Sequence, residues 1–442
     1  MEKWKHKTTK HSKKAGELGL KELIAMGVGG MIGGGIFSVL GLAVDISGHA
    51  APIAFALGGM VAFLAGYSYI KLALTYRNDG ASFTYLEMAF PGQPNIAGIV
   101  GWTVIVGYIG TLALYAFTFG AYGADLLEMP DAANVRMMLS VGVLLVFMAI
   151  NLQGAKASGS AEDLVVYTKI ILLGLLAVAG LSTVRESNMT PFFDHGTTSV
   201  FMGGALIFVA YEGFQLITNA VTETRDPDKN IPRSIYLSVC IVTFIYVVLA
   251  VVGVGSLSTE QLVAAKEYAL AVAAKPALGH AGTVLVGLAA LLATSSAINA
   301  TMFGAARMMA EMTRSHKMPC AFSFRNRVEV PWLAVVVLTV LAVALAMFGG
   351  LELIAAFSSM TFLLVSIGIT IANFTLREAT KSKAILILPG LILMLATVIT
   401  LIIYLWQTKR GTLEWIGGIY LIVIFTELGF SKRRLIFRRS AP

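Results

Sequence analysis

The sequence predicts an all-α integral membrane protein with twelve transmembrane helices, on three observations. Hydrophobic residues make up 57% of the 442-residue chain and charged residues only 13%, with a mean hydropathy of +0.78. Water-soluble domains carry about 25% charged and about 45–50% apolar residues, so a soluble globule of this size could not cover so much apolar surface. Soluble enzymes, nucleic-acid binders and disordered proteins are excluded on that ground. The second observation is a series of twelve apolar runs, each near the roughly 20 residues that cross a hydrocarbon core. The third is a one-sided distribution of Lys and Arg between alternate loops.

The runs lie near residues 20–44, 51–75, 96–127, 134–153, 162–184, 198–219, 232–256, 281–312, 331–348, 352–376, 383–404 and 412–430. A Lys/His-rich tail leads directly into the first full-length span, a pattern unlike a cleavable signal peptide. The net charge of +8 resolves along this layout. The two tails and the even-numbered loops hold 26 Lys/Arg, and six lie on the opposite side: Arg136, Arg185, Lys266, Lys275, Lys409 and Arg410. The positive-inside rule therefore places both termini in the cytoplasm of a multi-pass cell-membrane protein. The basic tails read as a topology signal with attraction to anionic lipid, not as a nucleic-acid site. Two cysteines, Cys240 and Cys320, cannot form a disulfide framework.

Span one carries glycines at 27, 29, 30, 33, 34 and 35. Each costs up to about 1 kcal/mol relative to alanine in a helix interior. One reading is an unwound stretch whose bare amides meet a ligand. The other is a close-packed small-residue face through Gly29 and Gly33. A dinucleotide fingerprint fails, because the frame from Gly27 meets Ile32 and no βαβ unit surrounds it. Span six contains Gly203-Gly204-Ala-Leu-Ile-Phe-Val-Ala-Tyr-Glu-Gly213, a carboxylate and a glycine at mid-membrane depth. Spans one and six are corresponding members of two five-span halves, and paired interrupted helices at matching places point to a transporter site. Freed amides at a half-helix N-terminus attract a carboxylate, and freed carbonyls attract an ammonium or sodium ion. A site offering both suits an amino acid zwitterion.

Ionisable groups at depth are expensive and functional by default. All six histidines fall in tails, loops or span ends. Lys71, Arg307, Glu311 and Glu427 lie near span ends, where long side chains snorkel to water. Lys169 sits seven residues past Glu162, roughly 10 Å into the fifth span. Lys169 and Glu212 remain as the buried pair of ionisable residues. Ser295 and Asn299 share a helix face at i, i+4, and Tyr108, Tyr115 and Phe208 are candidates to line a side-chain pocket. The Glu223–Arg233 stretch reads as a solvated turn with internal ion pairs and with Pro227 and Pro232 as breakers.

Several stretches are similar to amino acid permeases of the APC superfamily, which share the LeuT-type fold, and most of all to their prokaryotic proton-coupled members. They are Gly30-Met-Ile-Gly-Gly-Gly-Ile-Phe37, Phe208-Val-Ala-Tyr-Glu-Gly-Phe214, Glu223-Thr-Arg-Asp-Pro-Asp-Lys-Asn-Ile-Pro-Arg-Ser-Ile235, Tyr268-Ala-Leu-Ala-Val-Ala-Ala-Lys-Pro276 and Thr294-Ser-Ser-Ala-Ile-Asn-Ala-Thr301. The resemblance spans about residues 17–430. It implies a 5+5 inverted repeat, with helices 1–5 over residues 20–185 and helices 6–10 over 198–376. Helices 11–12 follow over 383–430, and basic tails cover 1–19 and 431–442. It further implies that amides of Gly34 and Gly35, with Gly33 beside them, bind the substrate carboxylate. Carbonyls of Met31, Val209, Ala210 and Glu212 would receive its amino group. Lys169 would occupy the cavity that holds sodium in sodium-coupled relatives, facing the Gly27 carbonyl and the hydroxyls of Ser295 and Ser296. A lysine buried there can give up a proton during the cycle. The implied activity is proton-coupled amino acid symport by alternating access, with the proton as partner, no sodium, no cofactor, no metal and a monomer.

Two departures from the family pattern stand out. Relatives usually carry an apolar residue where this chain has Glu212. Its carboxylate is open to three roles: pairing with a basic or amine-rich substrate, serving as a second proton site, or hydrogen-bonding within the broken helix. The first cytoplasmic loop reads Asp79-Gly-Ala-Ser-Phe-Thr-Tyr85 instead of a double-glycine, double-tyrosine form. A sodium-independent exchanger and an amine or polyamine carrier using Glu212 are the alternatives within the transporter class. An intramembrane enzyme lacks groups at depth, with no membrane histidine, no Asp pair and no Gly-Lys dipeptide for a phosphate loop. A channel would want rings of charge or of carbonyls from repeated subunits.

Overall fold

A computed structural model describes residues 18–77, 81–154, 159–314 and 316–438. Most of the basic N-terminal tail and the Asp79-Gly80 part of the first loop lie outside the described residues. Fifteen α-helices follow one another among the described residues. The first seven are α1 Leu20–Met31, α2 Gly35–Ser47, α3 Ala51–Thr75, α4 Ala81–Ala89, α5 Pro94–Leu126, α6 Ala133–Leu152 and α7 Gly159–Leu181. Then come α8 Thr197–Leu206, α9 Pro227–Ser256, α10 Thr259–Ala265 and α11 Ala269–Arg314. The last four are α12 Trp332–Phe348, α13 Gly350–Thr375, α14 Ala384–Thr408 and α15 Arg410–Arg438.

Ten helical runs are long and apolar enough to cross a membrane, and α12 is a shorter apolar helix of 17 residues. The difference from twelve full-length spans has a geometric cause. The first expected span is cut at residues 32–34 into α1 of 12 residues and α2 of 13, each under about 20 Å long. The run that begins with α2 passes through the turn Gly48–Ala50 straight into α3. Pro232 lies inside α9 instead of breaking it, and the helix starts at Pro227, where a missing amide costs nothing. Helix α11 changes direction at Gly279, which adopts φ +60°, three residues after Pro276.

Contacts between loops sort into two faces, as alternating crossings require. On the face where α1 begins, Arg77 pairs with Asp228 at 2.8 Å, Lys317 with Glu87 at 3.1 Å, and Asn326 donates to the Leu152 carbonyl. On the opposite face Arg136 pairs with Glu267 at 2.8 Å, His49 with Asp194 at 2.9 Å and Lys409 with Glu352 at 3.2 Å. Asp228 is thus bound across to the end of α3 and not within its own turn.

Exposed large hydrophobics line α14 and α15, including Ile385, Ile392, Trp415 and Phe425. The other helices enclose α1, α2, α8 and the segment that follows α8.

Candidate functional site at two facing helix breaks

The first break occupies residues 32–34, between α1 and α2. The Ile32 amide still donates to the Val28 carbonyl at 2.8 Å, and helical pairing resumes when the Ser38 amide reaches the Gly34 carbonyl at 3.1 Å. The second lies after α8. The chain tightens into a 3₁₀ segment, Ile207–Tyr211, opens at Glu212 with ψ 132°, and turns at Gly213 with φ +131°. It then resumes as a second 3₁₀ segment over Phe214–Glu223. Residue 213 needs glycine, because no other residue adopts that φ without strain.

The two breaks lie against each other. A Cβ added at Gly213 would stand 2.5 Å from the Gly30 carbonyl carbon, and one at Gly30 would stand 3.2 Å from the Gly213 Cα. A Cβ at Gly35 would stand 2.7 Å from the Ala210 Cα. Main chain therefore faces main chain, and Gly30, Gly35 and Gly213 permit that close approach. Gly29 performs another job, because a Cβ there would meet Val166 of α7 at 2.6 Å.

That approach brings Lys169, one turn further along α7, to the first break. Its side chain is 1% exposed, and Nζ donates to the Ile32 carbonyl at 3.1 Å. The hydrogen bond thus falls at the break itself, five residues beyond Gly27. Gly27 faces Ile217 and Ser238, and the side chains of Ser295 and Ser296 are half-buried on α11. Asn299, on the same helix, accepts a hydrogen bond from Asn151 of α6 at 2.9 Å.

The remaining predicted residues gather around the two breaks. The Tyr115 ring covers Gly33 and Gly34, each of which would put a Cβ within 3 Å of it. The Met31 and Ala210 carbonyls converge on the Tyr246 hydroxyl of α9, at 2.8 and 3.2 Å. The Val209 carbonyl receives the Glu212 amide at 3.2 Å. The Glu212 side chain is buried, and its Oε1 accepts from Gln215 Nε2 at 2.9 Å. Tyr108 instead packs on Phe362 of α13, with ring centroids 6.0 Å apart.

Among the described residues, three further acidic or basic groups are buried: Glu267, which pairs with Arg136, and Glu427 and Lys317. Glu427, expected to snorkel from a span end, is fully buried and accepts from the Trp102 indole at 3.0 Å. Lys317, in the segment after α11, is 2% exposed and pairs with Glu87 of α4. The Lys317 carbonyl also accepts from Trp102. The cause is packing that a linear span count does not contain: the Glu427 carboxylate lies against Gly98 and Trp102 of α5, and Lys317 lies between Glu87 of α4 and Trp102. Tyr246 and Ser359 of α13, which bonds to the second break, were missed for another reason. A hydroxyl in an apolar span leaves no periodic mark.

Comparison with known proteins follows the same lines. The chain is 31% identical to an uncharacterized protein of Methanocaldococcus jannaschii, over 94% of this chain and 95% of that protein. It is 29% identical to the inner membrane transport protein YbaT of Escherichia coli, over 95% of this chain and 97% of that one. It is 24% identical to the branched-chain amino acid permease BcaP of Bacillus subtilis, over 90% of each. The family described as "Amino acid permease" matches residues 18–426. A multi-pass helical chain with two opposed helix breaks, matched by that family along nearly its whole length, is a transporter and not an enzyme: it belongs to the amino acid permease family.

Proposed function

We propose that this protein is a proton-coupled amino acid symporter of the cell membrane, built on twelve spans with a LeuT-type 5+5 inverted repeat. In this reading both termini are cytoplasmic, the chain works as a monomer, and helices α14 and α15 follow the repeat. The observation that carries it is the opposition of the two breaks, main chain to main chain, with the Lys169 ammonium on the Ile32 carbonyl between α7 and the first break. Parting the breaks exposes amides at Gly33, Gly34 and Gly35 for a carboxylate. It also exposes carbonyls at Met31, Val209, Ala210 and Glu212 for an ammonium, completing a zwitterion site. Tyr246 satisfies two of those carbonyls while the breaks are closed. A relative named as a branched-chain amino acid permease supports the substrate class.

Proton coupling follows from Lys169. As an ammonium it tethers α7 to the break. Without its proton it loses charge and one donor, and the tether weakens. No sodium is required, because the ammonium supplies the positive charge at that place. Gly27, Ser295 and Ser296 complete the lysine's surroundings as this face opens. The test is uptake of L-alanine and L-leucine into proteoliposomes with an inward proton gradient. Accumulation that follows the gradient in wild type and collapses to equilibration in Lys169→Ala supports the reading. A Lys169→Ala variant that still accumulates substrate removes the lysine as coupling group, and uptake that requires preloaded substrate makes the protein an exchanger.

A further inference from the structure

Ser359 lies on α13, fully buried, and its hydroxyl is used twice on the second break. Its Oγ donates to the Leu206 carbonyl at 2.5 Å and accepts from the Val209 amide at 2.8 Å. Those two backbone groups are three residues apart, at the point where α8 gives way to 3₁₀ winding. In an uninterrupted helix Leu206 would receive the amide of residue 210 and Val209 would donate to residue 205. A side chain inserted into that ladder is one of the few physical causes of a sharp change in helix direction. The hydroxyl comes from a different element, so its position is set by α13 and not by the sequence of the sixth span.

We infer that Ser359 is a positioning residue: it fixes where the sixth span unwinds, and so aims the Val209 and Ala210 carbonyls. Two features of the surroundings make this arrangement specific. The Ala210 backbone packs on Gly35, so a shift of the 3₁₀ segment moves it against the first break. The Tyr211 hydroxyl, two residues past Val209, donates to the Phe55 carbonyl of α3 at 2.6 Å and holds the far end of the segment. Ser359 holds the near end. Without its hydroxyl, the Leu206 and Val209 groups must pair with backbone instead, and the helix winds on toward Glu212. The carbonyls then rotate away from a shared focus with Met31.

The inference deepens the transport reading above, and its test has two arms so that either can fail alone. The first needs no substrate: hydrogen exchange of the purified full-length protein, followed in the peptide covering residues 204–213. Ser359→Ala is expected to change exchange there by about tenfold or more, as a lost buried hydrogen bond implies. Ser359→Thr, which keeps the hydroxyl, is expected to stay near wild type. The second arm measures KM and maximal rate of L-alanine uptake in proteoliposomes. Ser359→Ala is expected to raise KM about tenfold with little change in maximal rate, and Ser359→Thr to restore it. Unaltered exchange in Ser359→Ala, or a threonine variant as impaired as alanine in both arms, overturns the inference. Altered exchange with wild-type KM overturns its link to substrate while leaving the backbone role in place. A wild-type protein that takes up no amino acid overturns the transport reading instead.

Discussion

At the scale of single residues, the site is made mostly of atoms that are absent. Gly213 has no side chain to strain its positive φ or to strike Gly30, and Gly35 has none to strike Ala210. We predict that Gly213→Ala destabilises the protein by about 2–3 kcal/mol, combining backbone strain with overpacking. The thermal midpoint of the detergent-solubilised protein measures it. Gly411, with open space around its would-be Cβ, is the control, and Gly411→Ala is expected to leave the midpoint unchanged. The glycine run and the Glu212-Gly213 pair are readable in sequence because their residue types contradict a continuous helix. Their mutual contact is not, since it joins residues about 180 positions apart. Glu427, expected at a snorkelling span end, is fully buried for a related reason. Distance from a span end measures depth along one helix and says nothing of what packs against that end.

At the scale of elements, α9 acts as a staple between the two broken spans. Tyr246 reaches both the Met31 and the Ala210 carbonyls, and its ring packs on Tyr211 and Phe55 at 5.4 and 5.8 Å between centroids. Tyr246→Phe keeps those ring contacts and leaves two buried carbonyls short of a donor. The expected loss is about 1–2 kcal/mol of stability with the fold retained. It would be read as a lowered thermal midpoint with an unchanged far-ultraviolet circular dichroism spectrum. If the substrate ammonium takes over these same carbonyls, saturating L-alanine is expected to close part of the gap between the variant and wild type. Helix boundaries along most spans were legible to within a few residues, because long apolar runs are set by the hydrocarbon thickness. The short helices α4 and α10 were not, since loop helices obey packing on their neighbours more than any repeat.

At the scale of the whole molecule, the two faces follow from hydropathy and charge asymmetry and the broken spans from the glycine runs, whereas membership of the amino acid permease family rests on the family match along residues 18–426. What ties the broken spans together at the face where α1 begins is smaller and easily overlooked. The Leu18 amide donates to the Glu223 carbonyl at 3.1 Å, and the Arg225 amide donates to the Leu18 carbonyl at 2.8 Å. The chain entering the first span is thereby zipped to the chain leaving the sixth, by main-chain atoms alone. Alanine substitution at 223 or 225 leaves every one of those atoms in place and would return a flat profile there. Only an imino acid deletes a donor. Arg225→Pro is expected to slow transport severalfold where Arg225→Ala does not, with uptake rates at equal protein loading as the measure. Two half-helices joined in this way travel as one lever, so a pair of spectroscopic labels placed one on each would report a fixed separation while both swing relative to α5 and α13.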